Sequence, residues 1–175
     1  MLAQTVTDIR VIAVDDGSTD TTASLLSGIA RDDARLVVVR KHNGGIVDAL
    51  NLALSMSNAT YVARQDGDDI SFADRFARQL AVFSRCSGTV AVSGSCFHID
   101  MDDRRLGTTY NVCLPDDANF DAIPSIEPYL LHPFLMARRV ALNAVGGYRH
   151  AFHAEDTDLY WRLLHIGRLV NIDQP

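Results

Sequence analysis

The sequence predicts an α/β fold with a mostly parallel sheet flanked by helices. Three observations carry this. Short, nearly continuous apolar runs end abruptly in turn or acidic residues, as strands buried on both faces do. Between them lie segments with apolar residues at helical spacing. Strand and helix then alternate along the chain.

Ile9–Val14 is the first such run, closed by Asp15-Asp16-Gly17-Ser18. Ser18-Thr19-Asp20 offers N-cap chemistry for a helix through Leu25, Leu26 and Ile29. Leu36–Val39 is a second strand, followed by Asn43-Gly44-Gly45 and a helix with Ile46, Leu50, Ala53 and Leu54 on one side. Tyr61–Arg64 is a third, ending in Asp66-Gly67-Asp68-Asp69. A helix over 71–84 is expected to open on Ser71 and Asp74, a capping-box variant, with Phe72, Phe76, Leu80 and Phe83 on its apolar face. Val90–Cys96 is a fourth strand. Over 99–128 Asp100, Asp102, Asp103, Pro115, Asp116, Asp117, Pro124 and Pro128 break every period. The region is too short for a second domain and too long for an ordinary connection, which suggests a functional loop. Tyr129–Arg138, a short helix, Gly146-Gly147 and a helix over 154–165 restore regularity.

At 175 residues one domain is expected. With 47% hydrophobic and 22% charged residues, disorder is disfavoured, and no apolar stretch approaches the ~20 residues of a membrane span. No secretory signal is visible. A net charge of −6 argues against nucleic-acid binding through a basic face. Cys86, Cys96 and Cys113 lack metal-ligand spacing and read as free thiols of a reducing compartment.

Ligands of open parallel sheets bind beyond the carboxyl ends of strands. Two strands end in acid clusters, Asp15-Asp16 and Asp66, Asp68, Asp69. Each alone could be a cap or a solvated turn. Together they call for a positive charge, and a hard divalent cation, Mg²⁺ or Mn²⁺, suits oxygen ligands.

Several motifs in order carry a family resemblance: Val14–Asp20, Asn43-Gly44-Gly45, Ala63–Ile70, Arg75 with Gln79, His132-Pro133, Gly146-Gly147-Tyr148, and Glu155–Leu163. The chain resembles the family 2 glycosyltransferases of the GT-A fold, in the bacterial branch that builds exopolysaccharide and O-antigen chains. The resemblance implies transfer of a sugar, with inversion, from a nucleotide-sugar donor (UDP- or GDP-linked) to a glycan or lipid-linked acceptor. It implies that Asp15 and Asp16 meet the nucleotide and that Asn43 and Gly44 shape the donor loop. Asp66 and Asp68 match the DxD element that faces the ribose and holds the divalent metal. Glu155-Asp156 match the element whose Asp serves as base, since the acceptor hydroxyl must lose a proton as it attacks. The reading expects a single catalytic domain over 1–175 with 99–128 as its acceptor-side loop region. It places the protein in the cytoplasm or at the inner face of the membrane, with no membrane span and no nucleic-acid partner.

Relatives begin with a strand, a Pro-bearing loop and a helix before the segment matching Ile9–Val14. Here Leu2-Ala3-Gln4-Thr5 match the end of that helix, so a domain shortened at both ends, lacking its first strand, is expected, with self-association or low stability. The alternative function is therefore a catalytically inactive nucleotide- or glycan-binding remnant. A third reading, an aspartyl-phosphate phosphatase, fails because neither Asp15 nor Asp16 has an aspartate two residues later. Leu159, Trp161 and Leu163 read as helix core and Asp158–Arg162 as a surface pair. His132 has two readings, a strand-end histidine with its hydrogen bonds satisfied or an acceptor- or phosphate-side group.

Overall fold

The computed structural model describes residues 1–106, 117–122 and 125–173. Cys113, Pro115, Asp116 and Pro124 of the loop region lie outside these residues. The elements run β1 (Val11–Asp15), α1 (Thr22–Asp32), β2 (Leu36–Arg40), α2 (Ile46–Ser55), β3 (Tyr61–Ala63), α3 (Arg75–Arg85), β4 (Thr89–Gly94), β5 (Met136–Arg138), α4 (Arg139–Ala144), α5 (Glu155–Leu164) and β6 (Arg168–Ile172). β1 and β2 pair in parallel as one sheet. The other has the order β3-β5-β4-β6, with β4 and β6 parallel. β5 runs antiparallel between β3 and β4, so this second sheet is mixed. The alternating α/β architecture stands.

β4 is the buried centre, with Ala91, Val92 and Ser93 fully covered. One apolar cluster gathers Leu130, Leu142, Leu159, Tyr160, Leu163 and Leu169. The other joins Phe76, Phe83, Val92 and Met136, with Met1, Val6 and Ile9 packed against it. Leu159 and Leu163, one turn apart on α5, are completely buried, as the sequence expects. Burial of each stabilises by ~1.5–3 kcal/mol, enough to fix α5 while its first turn carries Glu155, Asp156 and Asp158.

Four expectations need correction. The helix expected over 71–84 begins at Arg75, because Ser71 Oγ donates to Gln65 Oε1 instead of capping, and Phe72 stays exposed. Asp74 pairs with Arg78 rather than closing a box. On α1, Leu25 and Ile29 are exposed and no residue is buried, so its apolar spacing does not mark a core face. Leu2–Thr5 is turn rather than helix. Gln4 is buried there, donating to Phe72 O and accepting from Phe76 N, which docks the segment on the start of α3. Nor is Asp158–Arg162 a surface pair, since the guanidinium also donates to Val145 O and Gly147 O and ties α5 to the glycine turn.

Candidate functional site

The residues after β3 form the centre of the site. Asp66, Asp68 and Asp69 each bring a carboxylate oxygen within 4.8 Å of the others. Their turn is held from behind. Gln65 Nε2 donates to Asp69 O at 2.8 Å, and Gln65 Oε1 accepts from Arg75 Nη1 at 2.8 Å. Arg75 also donates to Ser71 Oγ and to Arg64 O. Burial draws the Arg75 guanidinium down to about 10, and the charge of Asp69 opposes that shift. Gln79, buried beside Arg75, donates to Phe134 O at 2.6 Å and ties α3 to the segment before β5.

Burial pushes the Asp69 carboxyl up, and the charges of Asp66 and Asp68 push it further. Three crowded carboxylates favour a divalent cation among them. This donor set, all oxygen and partly exposed, fits Mg²⁺ or Mn²⁺. Asp69 belongs to it although the DxD spacing selects only Asp66 and Asp68.

The β1 end is built differently. Asp15 is enclosed, accepts from Ser18 N at 2.8 Å, and is held below the usual carboxylate range by hydrogen bonding from Ser18. Its Oδ2 has no hydrogen-bond partner among the described residues, although Arg40 Nε stands 3.5 Å away. Asp16 receives Lys41 Nζ and the backbone N–H groups of Gly44 and Gly45, and the Lys41 bond is the main cause of its lowered pKa. Asp16 thus carries the loop that opens α2, where Asn43 and Gly44 sit. Gly17, at φ +85°, makes this possible, since a Cβ there would lie 2.9 Å from Asn43 N.

Glu155 and Asp156 occupy the first turn of α5, where the helix N-terminus favours negative charge. Asp156 Oδ1 accepts from Thr157 N at 2.8 Å. Beneath this turn lies a ring cluster that the sequence does not announce. His132 Nε2 lies 3.3 Å from Tyr148 Oη, and its ring meets Tyr160 edge-on at 6.2 Å. Burial first, then the charge of Arg64, pushes His132 down to about 3. It is buried and bonded to Tyr148, in a 3-10 turn just before β5. Burial raises both phenols, and the charge of Asp156 adds to this, so the cluster lies within electrostatic reach of the α5 acid.

Arg64 is the residue sequence reasoning passed over. Its side chain is 7% exposed, and Nη2 meets Asp66 Oδ1 at 2.6 Å. It lies two positions before the DxD element, and nothing in its spacing announces that it turns inward. Beside the acidic turn an apolar cavity of about 240 Å³ is lined by Phe72, Phe97, Phe134 and Ile172, with Asp69 and Arg105 also on its wall. Trp161 packs edge-on against Phe120 at 5.6 Å.

Comparison with known proteins sets this geometry in context. The family described as glycosyl transferase family 2 matches residues 1–146. A chondroitin synthase of Pasteurella multocida is 26% identical over 174 residues, 99% of this chain and 18% of that protein. The putative glycosyltransferase EpsE of Bacillus subtilis is 28% identical over 172 residues, 95% of this chain and 60% of that protein. Among solved structures, the mannosyltransferase PcManGT from Pyrobaculum calidifontis, in complex with GDP-Man and Mn²⁺, superposes with a TM-score of 0.70. At 21% identity it covers 94% of this chain and 45% of that one, a likeness of fold. The chain spans a quarter or less of the length of the chondroitin and hyaluronan synthases it matches.

Proposed function

The chain belongs to glycosyl transferase family 2, and from that premise we propose that it transfers a sugar, with inversion, from a nucleoside-diphosphate sugar to a glycan or lipid-linked acceptor in bacterial surface polysaccharide synthesis. The observation that carries this is the triad of carboxylates whose oxygens lie within 4.8 Å at the end of β3. Asp66 and Asp68 would hold a divalent cation with the donor diphosphate, and Asp69 would complete the oxygen set. Such a cation supplies charge neutralisation for the departing nucleoside diphosphate. A solved fold relative described with GDP-Man and Mn²⁺ supports both the metal and the donor class.

Asp15, Asp16, Asn43 and Gly44 form the nucleotide end in this reading. Asp16 acts there by holding the loop, and Asp15, enclosed beside Arg40, by holding the Ser18 turn against which the nucleotide would lie. Asp156 takes the acceptor proton, with Glu155 beside it in the first turn of α5. Asp156 is partly exposed at a helix N-terminus, where negative charge is favoured. Residues 99–128 form the acceptor side, and the reaction takes place in the cytoplasm or at the inner face of the membrane. No described helix is long and apolar enough to cross a membrane.

The test is release of nucleoside diphosphate from UDP- and GDP-sugars with Mn²⁺, in wild type, Asp156→Asn and Asp68→Ala. Asp156→Asn is expected to abolish sugar transfer with donor binding kept within a few-fold, and Asp68→Ala to impair both. Near-normal turnover by Asp156→Asn would remove the base assignment. Donor binding without turnover in wild type would favour the non-catalytic binder.

A further inference from the structure

The backbone of Arg64 is pinned on both sides: its N–H donates to Leu135 O at 2.7 Å and its carbonyl accepts from Arg75. The side chain is thereby committed to the interior behind the acidic turn. There its guanidinium makes one ion pair, with Asp66. Its Nε and Nη1 are buried and have no hydrogen-bond partner among the described residues. The neighbouring rings of His132, Tyr148 and Tyr160 bring no counter-charge, burial pushing each away from its ionised form. Asp66 is the anion in direct contact with this buried cation, and the charge of Asp69 reaches it at longer range.

Asp66 is also one of the three carboxylates that can hold a divalent cation. The two demands conflict. A metal ion that draws on Asp66 weakens the guanidinium's ion pair, and a buried cation losing its partner is strongly disfavoured. Among the described residues no other acceptor meets the Nε or Nη1 of Arg64. A diphosphate arriving with the metal brings replacement negative charge to the same place; a bare metal ion does not.

We infer that Arg64 is a positioning residue that serves as internal counter-ion to the acidic turn, reserving Asp66 so that a divalent cation is captured only together with a diphosphate. The inference rests on the metal-and-donor reading proposed above and goes beyond it by assigning the coupling to one side chain. A purely structural role for Arg64 predicts the opposite sign, because loosening the turn would weaken metal binding.

Electron paramagnetic resonance of free Mn²⁺ reads the binding directly, on the whole chain, without nucleotide and with GDP or UDP. Wild type is expected to bind Mn²⁺ alone weakly and at least tenfold more tightly with a nucleotide. Arg64→Gln is expected to bind Mn²⁺ alone at least tenfold more tightly than wild type and to lose most of the nucleotide enhancement. Arg64→Lys, which keeps the charge on a shorter reach, is expected to show a smaller gain of the same sign. A folded Arg64→Gln protein with unchanged or weaker Mn²⁺ affinity overturns the inference. If Arg64→Gln does not fold, absence of any gain in Arg64→Lys overturns it instead. Failure of wild type to bind Mn²⁺ with either nucleotide overturns the donor-site reading itself, and the inference with it.

Discussion

Replacing Gly17 by alanine probes whether the turn after β1 and the loop before α2 form one unit. Gly17 sits at φ +85°, where an alanine costs ~1–2 kcal/mol of backbone strain. The added Cβ would stand 2.9 Å from Asn43 N, and relief requires the loop to retreat by about 0.5 Å. The neighbour is backbone, so no side chain can rotate away. Retreat stretches the bonds from Gly44 N and Gly45 N to Asp16, at 3.0 and 2.8 Å, each contributing ~1 kcal/mol. The sum is a loss of ~2–4 kcal/mol, read from urea unfolding midpoints. Gly88→Ala is the control, because a Cβ there meets nothing within 4 Å, and it should change stability by less than ~0.5 kcal/mol. If Gly17→Ala fell within ~0.5 kcal/mol of wild type, the close packing of the two loops would be refuted.

Two further outcomes follow from the ring cluster. His132 is held at about 3 against an ordinary 6.5, so the unfolded chain takes up a proton between those values that the folded chain refuses. Folding stability must then fall as pH drops from 6.5 toward 3, by up to ~1.4 kcal/mol per unit. His132→Gln should flatten that part of the pH–stability curve, and parallel curves for variant and wild type would contradict the burial argument. Tyr160 Oη is buried without a hydrogen-bond partner among the described residues, so Tyr160→Phe should leave stability unchanged or raise it by ~1 kcal/mol. A loss above ~1 kcal/mol in thermal or urea melts would mean that the hydroxyl is bonded.

The acid clusters and the strands before them are legible because they are local. An apolar run closed by Asp15-Asp16 or by Asp66-Gly67-Asp68 announces both its burial and its chemistry within a few residues. The helix after the third strand is misplaced by four residues for an equally local reason: Ser71 looks like a cap, but a glutamine six residues upstream takes its hydroxyl. The reversed direction of β5 is not legible, because three residues of strand carry no mark of parallel or antiparallel pairing. β6 is a missed strand, although Arg168-Leu169-Val170-Asn171-Ile172 is rich in β-branched and apolar residues. Least legible is the assembly of Arg64, His132, Tyr148 and Tyr160, drawn from four separated segments by packing alone. Asn51, clamping both backbone atoms of Tyr148, is the kind of long-range bond that fixes it.

In the proposed function the carboxylates after β3 hold a divalent cation together with a nucleoside diphosphate. Calorimetric titration of UDP and of GDP, each with and without Mn²⁺, against wild type and Asp68→Ala tests it most directly. One nucleotide is expected to bind wild type much more tightly with Mn²⁺, and Asp68→Ala to abolish this enhancement. Binding of equal strength with and without Mn²⁺, unchanged by Asp68→Ala, would contradict it.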